Sequence, residues 1–328
     1  MNILLSTIGR RSYLARYFRE TSYSSVKVLG TTDRHNAENE FTSGLFACDK
    51  GFLVPSVLHE DYINMLLGLC ERENVRMITS LYDLDSQEIS KHLDKFRNIG
   101  VTAFISSQQV NKICFDKYET YLFLKENNFK TPATFLSIDD YKRSGLDYPV
   151  MVKPRCGFAS IGLHIVVNDE ELKSYFKPDI HVIQEFIKAQ EHSFDIFCDL
   201  DGRVLSCVVK RKIRMRAGET DQAITVKNSR LLELAVKVGE ALRPTGPLDV
   251  DLFISGEDVY ILEFNPRFGG GYPLSHAAGV NFPQLMLDIA SGKQLEPNIG
   301  DYTDNLVMIK ESNAQIFSLS EANRVLCT

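Results

Sequence analysis

With 328 residues, 44% of them hydrophobic and 24% charged, the chain has the size for two or three domains and the composition of a soluble globular protein. A net charge of −6 argues against a general nucleic-acid-binding surface, no stretch approaches the roughly 20 apolar residues of a membrane span, and the start lacks the basic and apolar regions of a signal peptide. Seven cysteines without CxxC or paired spacing exclude a disulfide framework and read as reduced thiols of a cytoplasmic protein.

Residues 1–105 alternate strand and helix. Asn2–Ser6, Val26–Leu29, Arg76–Thr79 and Val101–Ile105 read as strands; Arg11–Glu20 and Tyr62–Glu73 read as amphipathic helices, and Ile89, Leu93 and Phe96 mark a further helix face. This pattern predicts an α/β domain built on a parallel sheet. The first strand–helix turn, Thr7-Ile8-Gly9-Arg10-Arg11-Ser12, has one glycine where a dinucleotide fingerprint needs three, and no acid ends the second strand, which excludes a nicotinamide site. Arg10 and Arg11 either hold an anionic substrate or are solvated. Asp83 and Asp85 follow a strand end and serve either a ligand or the start of a helix.

A helical region with Lys117 connects to the strand Ala133–Leu136, then to Tyr148–Val152, which ends in Lys153. The loop from Arg155 to Gly162, with Gly157 and Ser160, returns as the strand Leu163–Val167. Glycines that let backbone approach oxygen closely, beside a lysine, predict a phosphate-covering flap. The strand His181–Phe186 carries Gln184-Glu185-Phe186-Ile187, and Glu191 opens the next. The strand Arg203–Lys212 runs on into a basic stretch in which strict alternation would put Lys210, Lys212, Arg214 and Arg216 on one face. Leu231, Leu234, Ala235, Val238 and Leu242 mark a buried helix face. Phe268-Gly269-Gly270-Gly271-Tyr272 reads as a flexible loop, Asn281–Ser291 as a helix and Leu306–Lys310 as a strand.

Between these lies an acidic hairpin, Leu248–Ile254 and Val259–Asn265. A three-residue loop at Gly256–Asp258 pairs Ser255 with Val259 and sets Asp251 opposite Glu263. Asn265 then shares the face of Glu263, while Leu252, Ile254, Ile261, Leu262 and Phe264 back it. Facing carboxylates destabilise a sheet unless a cation lies between them. Two carboxylates and an amide oxygen leave room for water and phosphate, as magnesium bound with a nucleotide requires.

Lys153-Pro154, the glycine flap, Gln184-Glu185-Phe186-Ile187 and Glu263-Phe264-Asn265-Pro266-Arg267 occur in one order over about 150 residues. This ordered set resembles the ATP-grasp superfamily, in its carbamoyl-phosphate-synthase-like and biotin-carboxylase-like branch. The resemblance implies a pre-ATP-grasp α/β substrate domain at 1–105, an α+β ATP-grasp fold of two subdomains at 106–300 with its lid at about 130–182, and a C-terminal extension at 301–328. It implies Lys117 and Lys153 on phosphates under the Gly157–Gly162 flap, with Gln184, Glu185, Phe186 and Ile187 at the adenine. Glu191 would meet the ribose, and Asp251, Glu263 and Asn265 would bind Mg2+, or Mn2+ in its place. Arg267, with Lys212 or Arg214 of the basic strand, would act on the reacting groups.

The activity implied is an ATP-dependent carboxylate–amine ligase that forms an acyl-phosphate and acts on small molecules, with a homodimer as the assembly common in the family. The alternatives are a single-unit, bicarbonate-activating enzyme and a non-catalytic ATP-binding regulatory subunit. The chain departs from carbamoyl-phosphate synthases in having one such unit rather than two, and Asp rather than Gln at 251, as in the D-alanine ligase branch.

Overall fold

The computed structural model describes residues 1–33, 41–157 and 162–311, with residues 314, 316, 318, 320, 321 and 325–327 of the tail. The N-terminal domain is a parallel sheet covered by helices. Its strands are β1 (Asn2–Ser6), β2 (Lys27–Asp33), β3 (Lys50–Val54), β4 (Val75–Ser80), β5 (Thr102–Phe104) and, from the chain end, β16 (Leu326–Cys327), in the order β16-β3-β2-β1-β4-β5. The helices are α1 (Ser12–Arg19), α2 (Ser43–Phe46), α3 (Tyr62–Arg72), α4 (Asp83–Ser90) and α5 (Leu93–Asn98). Apolar side chains such as Leu4, Leu66, Ile78 and Phe96 are fully buried between sheet and helices. Strand β3 escaped sequence reading because Lys50 and Gly51 weaken its pattern. The strand order reverses between β1 and β4, and the loops after these two strands face the rest of the molecule.

Helices α6 (Gln108–Phe115) and α7 (Lys117–Glu126) lead into two antiparallel sheets. The smaller, in the order β6-β9-β7-β8, contains β6 (Thr134–Phe135), β7 (Val150–Pro154), β8 (His164–Val166) and β9 (His181–Glu185), with α8 (Ile138–Ser144) and α9 (Asp169–Tyr175) beside it. The larger runs β14-β13-β10-β11-β12-β15 and contains β10 (Gln190–Cys198), β11 (Val204–Arg216), β12 (Glu219–Thr225), β13 (Gly246–Ser255), β14 (Asp258–Asn265) and β15 (Val307–Ile309). Helix α10 (Ser229–Leu242) buries Leu231, Ala235, Val238 and Leu242 against one face of this sheet. On the opposite face, Phe197 and Val208 join a core shared with α1, α11 (Tyr272–Ala277) and α12 (Phe282–Ala290).

Irregularities in two strands correct the sequence reading. Ser255 pairs with Asp258 across a two-residue loop, not with Val259. The register then shifts between Asp251 and Leu252, so Asp251 still lies opposite Glu263. The extra residue is Leu262: Ile261 and Phe264 remain in the core, but Leu262 turns away from it into a cleft. Strand β11 is likewise irregular on both sides of Arg214, which breaks the alternation after Lys212. Arg214 instead reaches sideways to Asp221, with Nη2 at 2.5 Å.

Candidate active site

A cleft opens between the two antiparallel sheets and the N-terminal domain. Of the residues singled out from sequence it gathers Lys153, Gln184, Glu185, Ile187, Glu191, Lys212, Asp251, Glu263, Asn265 and Arg267. Lys117 and Gly157 line a smaller recess on the far side of Glu263 and Asn265. Phe186 and Arg214 are not among the cleft residues: Phe186 lies just past the end of β9, and Arg214 is turned aside by its bulge. Ser160 lies outside the described residues, as does the flap between Gly157 and Gly162.

Local structure explains how the cations arrive. Asp116 caps α7, accepting from the amides of Tyr118 and Glu119, and its carboxylate also binds Arg155 at 2.8 Å. This ties the first residue of α7, Lys117, to the base of the flap, where its Nζ donates to the Gly157 carbonyl at 3.0 Å and stands 4.0 Å from Glu263. Lys153, the penultimate residue of β7, is 7% exposed, and among the described residues no carboxylate lies within 4.0 Å of its ammonium. Burial pushes its pKa down to about 8, against the upward pull of Glu263 and Asp251. A desolvated cation without an ion pair, aimed into a cleft, is an anion site.

The acids are unequal. Burial, then Asp249 and Glu263, raise Asp251 even though Lys212 bonds it at 2.5 Å. Burial also works against ionisation of Glu263, but Lys117, Lys153, Lys212 and Arg267 outweigh it and hold that carboxyl below the usual range. Lys212 bridges Asp251 to Glu191, which it meets at 2.7 Å. Arg267 donates to Asn265 Oδ1 at 2.9 Å and lies 3.5 Å from Asp83 and 3.8 Å from Asp249.

The ATP-grasp domain family matches residues 114–271, and the family described as PylC-like, N-terminal domain, matches residues 3–104. The chain contains an ATP-grasp domain. Among curated relatives it is 25% identical over 281 residues to the C-terminal section of the carbamoyl phosphate synthase large chain of Methanocaldococcus jannaschii, covering 77% of this chain and 44% of that one. It is 26% identical over 295 residues to the D-alanine–D-alanine ligase of Pediococcus pentosaceus, covering 82% and 79%. Its fold is that of the biotin carboxylase domain of Hydrogenobacter thermophilus 2-oxoglutarate carboxylase, solved with MgADP and bicarbonate (TM-score 0.73, 16% identity, 93% and 73% covered). It also matches Thermotoga maritima N5-carboxyaminoimidazole ribonucleotide synthetase (TM-score 0.67, 18% identity, 90% and 77% covered). Among the described residues no helix is long and apolar enough to cross a membrane.

In this cleft, Pro132, Met151, Leu163, Ile187, Met215, Phe253 and Leu262 supply apolar wall beside the charged groups. Glu185 is anchored rather than free: its carboxylate accepts from the Ala133 amide at 3.0 Å. Gln184 donates to Thr134 Oγ1 at 2.9 Å. Among the described residues no three His, Cys, Asp or Glu side chains are grouped to hold a metal by themselves. The donors at Asp251, Glu263 and Asn265 therefore fit magnesium only when phosphate and water complete its shell, and the mutual repulsion of the two acids is what such a cation relieves.

Sequence reading missed Asp249 and Glu219, and left Arg11 open between an anion site and a solvated residue. Asp249 was legible in principle, because it pairs with Asn265 across the hairpin. The glycine loop also differs from its flexible reading. A Cβ on Gly269 would stand 2.6 Å from Asp249 Cγ, and one on Gly271 2.8 Å from Lys210 Nζ, so these positions are glycine because the loop lies directly on charged side chains.

Proposed function

We propose that this chain is an ATP-dependent carboxylate–amine ligase that forms an amide through an acyl-phosphate and releases ADP and phosphate. The observation that carries this reading is Lys153, a buried ammonium without an ion pair among the described residues, facing the paired acids Asp251 and Glu263 across one cleft. An uncompensated cation beside repelling anions is stable where phosphates and a divalent cation meet. The relatives agree with it: a carbamoyl phosphate synthase section and a D-alanine–D-alanine ligase both align with this chain.

In this reading a carboxylate oxygen of the first substrate attacks the γ-phosphorus of ATP, the bond to the bridging oxygen breaks, and ADP leaves. The amine nitrogen of the second substrate then attacks the acyl carbon, the carbon–oxygen bond to phosphate breaks, and the amine proton passes to solvent. Magnesium, or manganese in its place, held by Asp251, Glu263 and Asn265, supplies charge neutralisation at the phosphates. Lys117 and Lys153 hold the phosphates under the Gly157–Gly162 flap, with Ser160 among its donors, in a lid of about residues 130–182. Gln184, Glu185 and Ile187 position adenine, and Glu191 the ribose. Lys212, which bridges Asp251 and Glu191, would contact the γ-phosphate. Arg267, whose charge Asp83 and Asp249 sustain against burial, pairs with the carboxylate and then the acyl-phosphate. Small-molecule substrates, no nucleic acid, a cytoplasmic setting and a homodimer, as named for the Hydrogenobacter domain, complete the reading.

Glu263→Gln tests it. Magnesium-dependent ADP formation with pools of carboxylic acids and amines should fall about 10²–10³-fold or more, with the circular dichroism spectrum unchanged; retained activity overturns the metal assignment. Bicarbonate activation is the second reading, favoured by the likeness to the Methanocaldococcus section, and ADP release on bicarbonate without another carboxylate selects it.

A further inference from the structure

Beside the nucleotide cleft lies a second, open cavity that the steps above leave unassigned. Its walls are the Thr7–Arg11 turn after β1, Leu81 and Tyr82 after β4, the Arg216–Asp221 turn into β12, and Lys310 with Glu311. It occupies the reversal point of the parallel sheet, the crevice where such sheets take ligands. Arg11, Glu219 and Thr220 line both spaces, so the cavity and the nucleotide cleft meet at those three residues.

The lining is bipolar. Glu219, at the junction, is half-exposed and only loosely neutralised, 3.3 Å from Lys310 and 3.8 Å from Arg11. A carboxylate has four lone-pair sites, so this one retains capacity for another cation. Arg10 and Arg216 line the cavity but not the cleft. Arg10 is exposed and has no ion pair among the described residues. Arg216 is 3.5 Å from Asp221, whose carboxylate is already taken by Arg214 at 2.5 Å. One part of the wall therefore has anionic capacity left over, and another has cationic capacity.

The turn that carries Arg10 is held rigidly. Thr7 has a left-handed backbone, φ 50°, which a β-branched residue adopts only under constraint. Its amide donates to Thr31 Oγ1 at 3.0 Å and its hydroxyl to the fully buried Asp85 at 3.2 Å, which Tyr62 binds in turn at 2.6 Å.

We propose that this cavity takes the amine substrate of the ligase and that this substrate is an amino acid, its ammonium set against Glu219 and its carboxylate against Arg10 and Arg216. The inference rests on the ligase reading and adds no covalent step to it. The ammonium end lies at the mouth of the nucleotide cleft, so the nitrogen, once deprotonated, faces the acyl-phosphate that Arg267 steadies. The carboxylate end stays out of the cleft, where it cannot compete for phosphorylation.

The test measures ADP release with a pool of carboxylic acids as first substrate, and thermal shift in the presence of MgATP, for the wild type, Glu219→Gln, Arg216→Ala and Arg10→Ala. The probes are the protein amino acids in both enantiomers, each beside the amine left by removal of its carboxyl group and beside its N-acetyl form. Expected is an amino acid that raises the melting temperature further and supports ADP release, with the carboxyl-free amine about tenfold or more weaker and the N-acetyl form inactive. Each variant should raise KM for that amino acid about tenfold or more, while the shift caused by MgATP alone stays at its wild-type size and shows that the variant is folded. Equal use of the amino acid and its carboxyl-free amine overturns the proposal. So does binding of MgATP with response to no amino acid, which leaves the nucleotide reading standing. Failure of the folded wild type to bind MgATP removes both.

Discussion

Lys210 and Lys212 stand two residues apart on the same face of β11, each paired with an acid, with side chains 1% and 3% exposed. Lys210 meets Asp195 at 2.5 Å, Ser275 donates to the same carboxylate, and the backbone of Gly271 is packed against the ammonium. All of its partners are fixed parts of the protein. Lys212 meets Glu191 and Asp251, and all three line the cleft between the sheets. Residue type, strand, face and burial agree, and only the cover differs: a tight glycine loop over one, a ligand-sized space over the other. A buried ion pair becomes working machinery where one partner can be handed to something that enters.

Substitution to methionine should separate the two lysines. Lys210→Met leaves Asp195 buried without its cation and should cost about 3–5 kcal/mol of stability in denaturant titration, while affinity for MgATP at a temperature where the protein stays folded is unchanged. Lys212→Met should lower the rate of ADP formation about 10²–10³-fold. If Lys210→Met silences the folded enzyme as thoroughly, the distinction between the two pairs is lost.

Lys153 sharpens the comparison, since it has no ion pair at all among the described residues. Burial lowers its pKa from 10.5 to about 8, so between those values the unfolded chain binds the more protons. Stability of the nucleotide-free protein should therefore rise with pH across that window, and below about pH 8 the burial penalty is felt in full. Lys153→Met should stabilise the free protein at neutral pH by on the order of 1–3 kcal/mol, flatten that rise, and weaken MgATP binding. Denaturation at several pH values, with calorimetry of MgATP binding, reads all three effects. A loss of stability in the variant would mean that Lys153 is satisfied within the protein, as Lys210 is.

The smallest expected effect tests the cover itself. Gly271→Ala sets a methyl against the Lys210 ammonium and should cost about 1–2 kcal/mol, read as a lower midpoint in urea, with KM for ATP unchanged. An unchanged midpoint would show that the loop yields and does not seal the pair.

Much of this was legible from the chain alone because it depends on local period. The alternation of strand and helix announced the parallel sheet, and the ordered Lys153, Gln184–Ile187 and Glu263–Arg267 strings announced the ATP-grasp domain that residues 114–271 match. The Asp251–Glu263 pairing was reached for an incomplete reason. The loop is one residue shorter than supposed, and the bulge at Leu262 restores the count. An ordinary leucine does not mark itself as the extra residue of a strand, and neither bulge beside Arg214 is visible in its basic run.

What sequence by itself determined was which side chains the chain owns and which way each would face on an ideal strand or helix, since both follow from consecutive backbone angles. Tertiary structure alone decided what covers them: that Gly271 closes over Lys210 while Lys212 faces open space, and that Asp83 and Arg11 of the N-terminal domain stand beside Arg267. Charge acquires its chemistry from water access and from neighbours, and those of Arg267 include residues more than a hundred positions away along the chain.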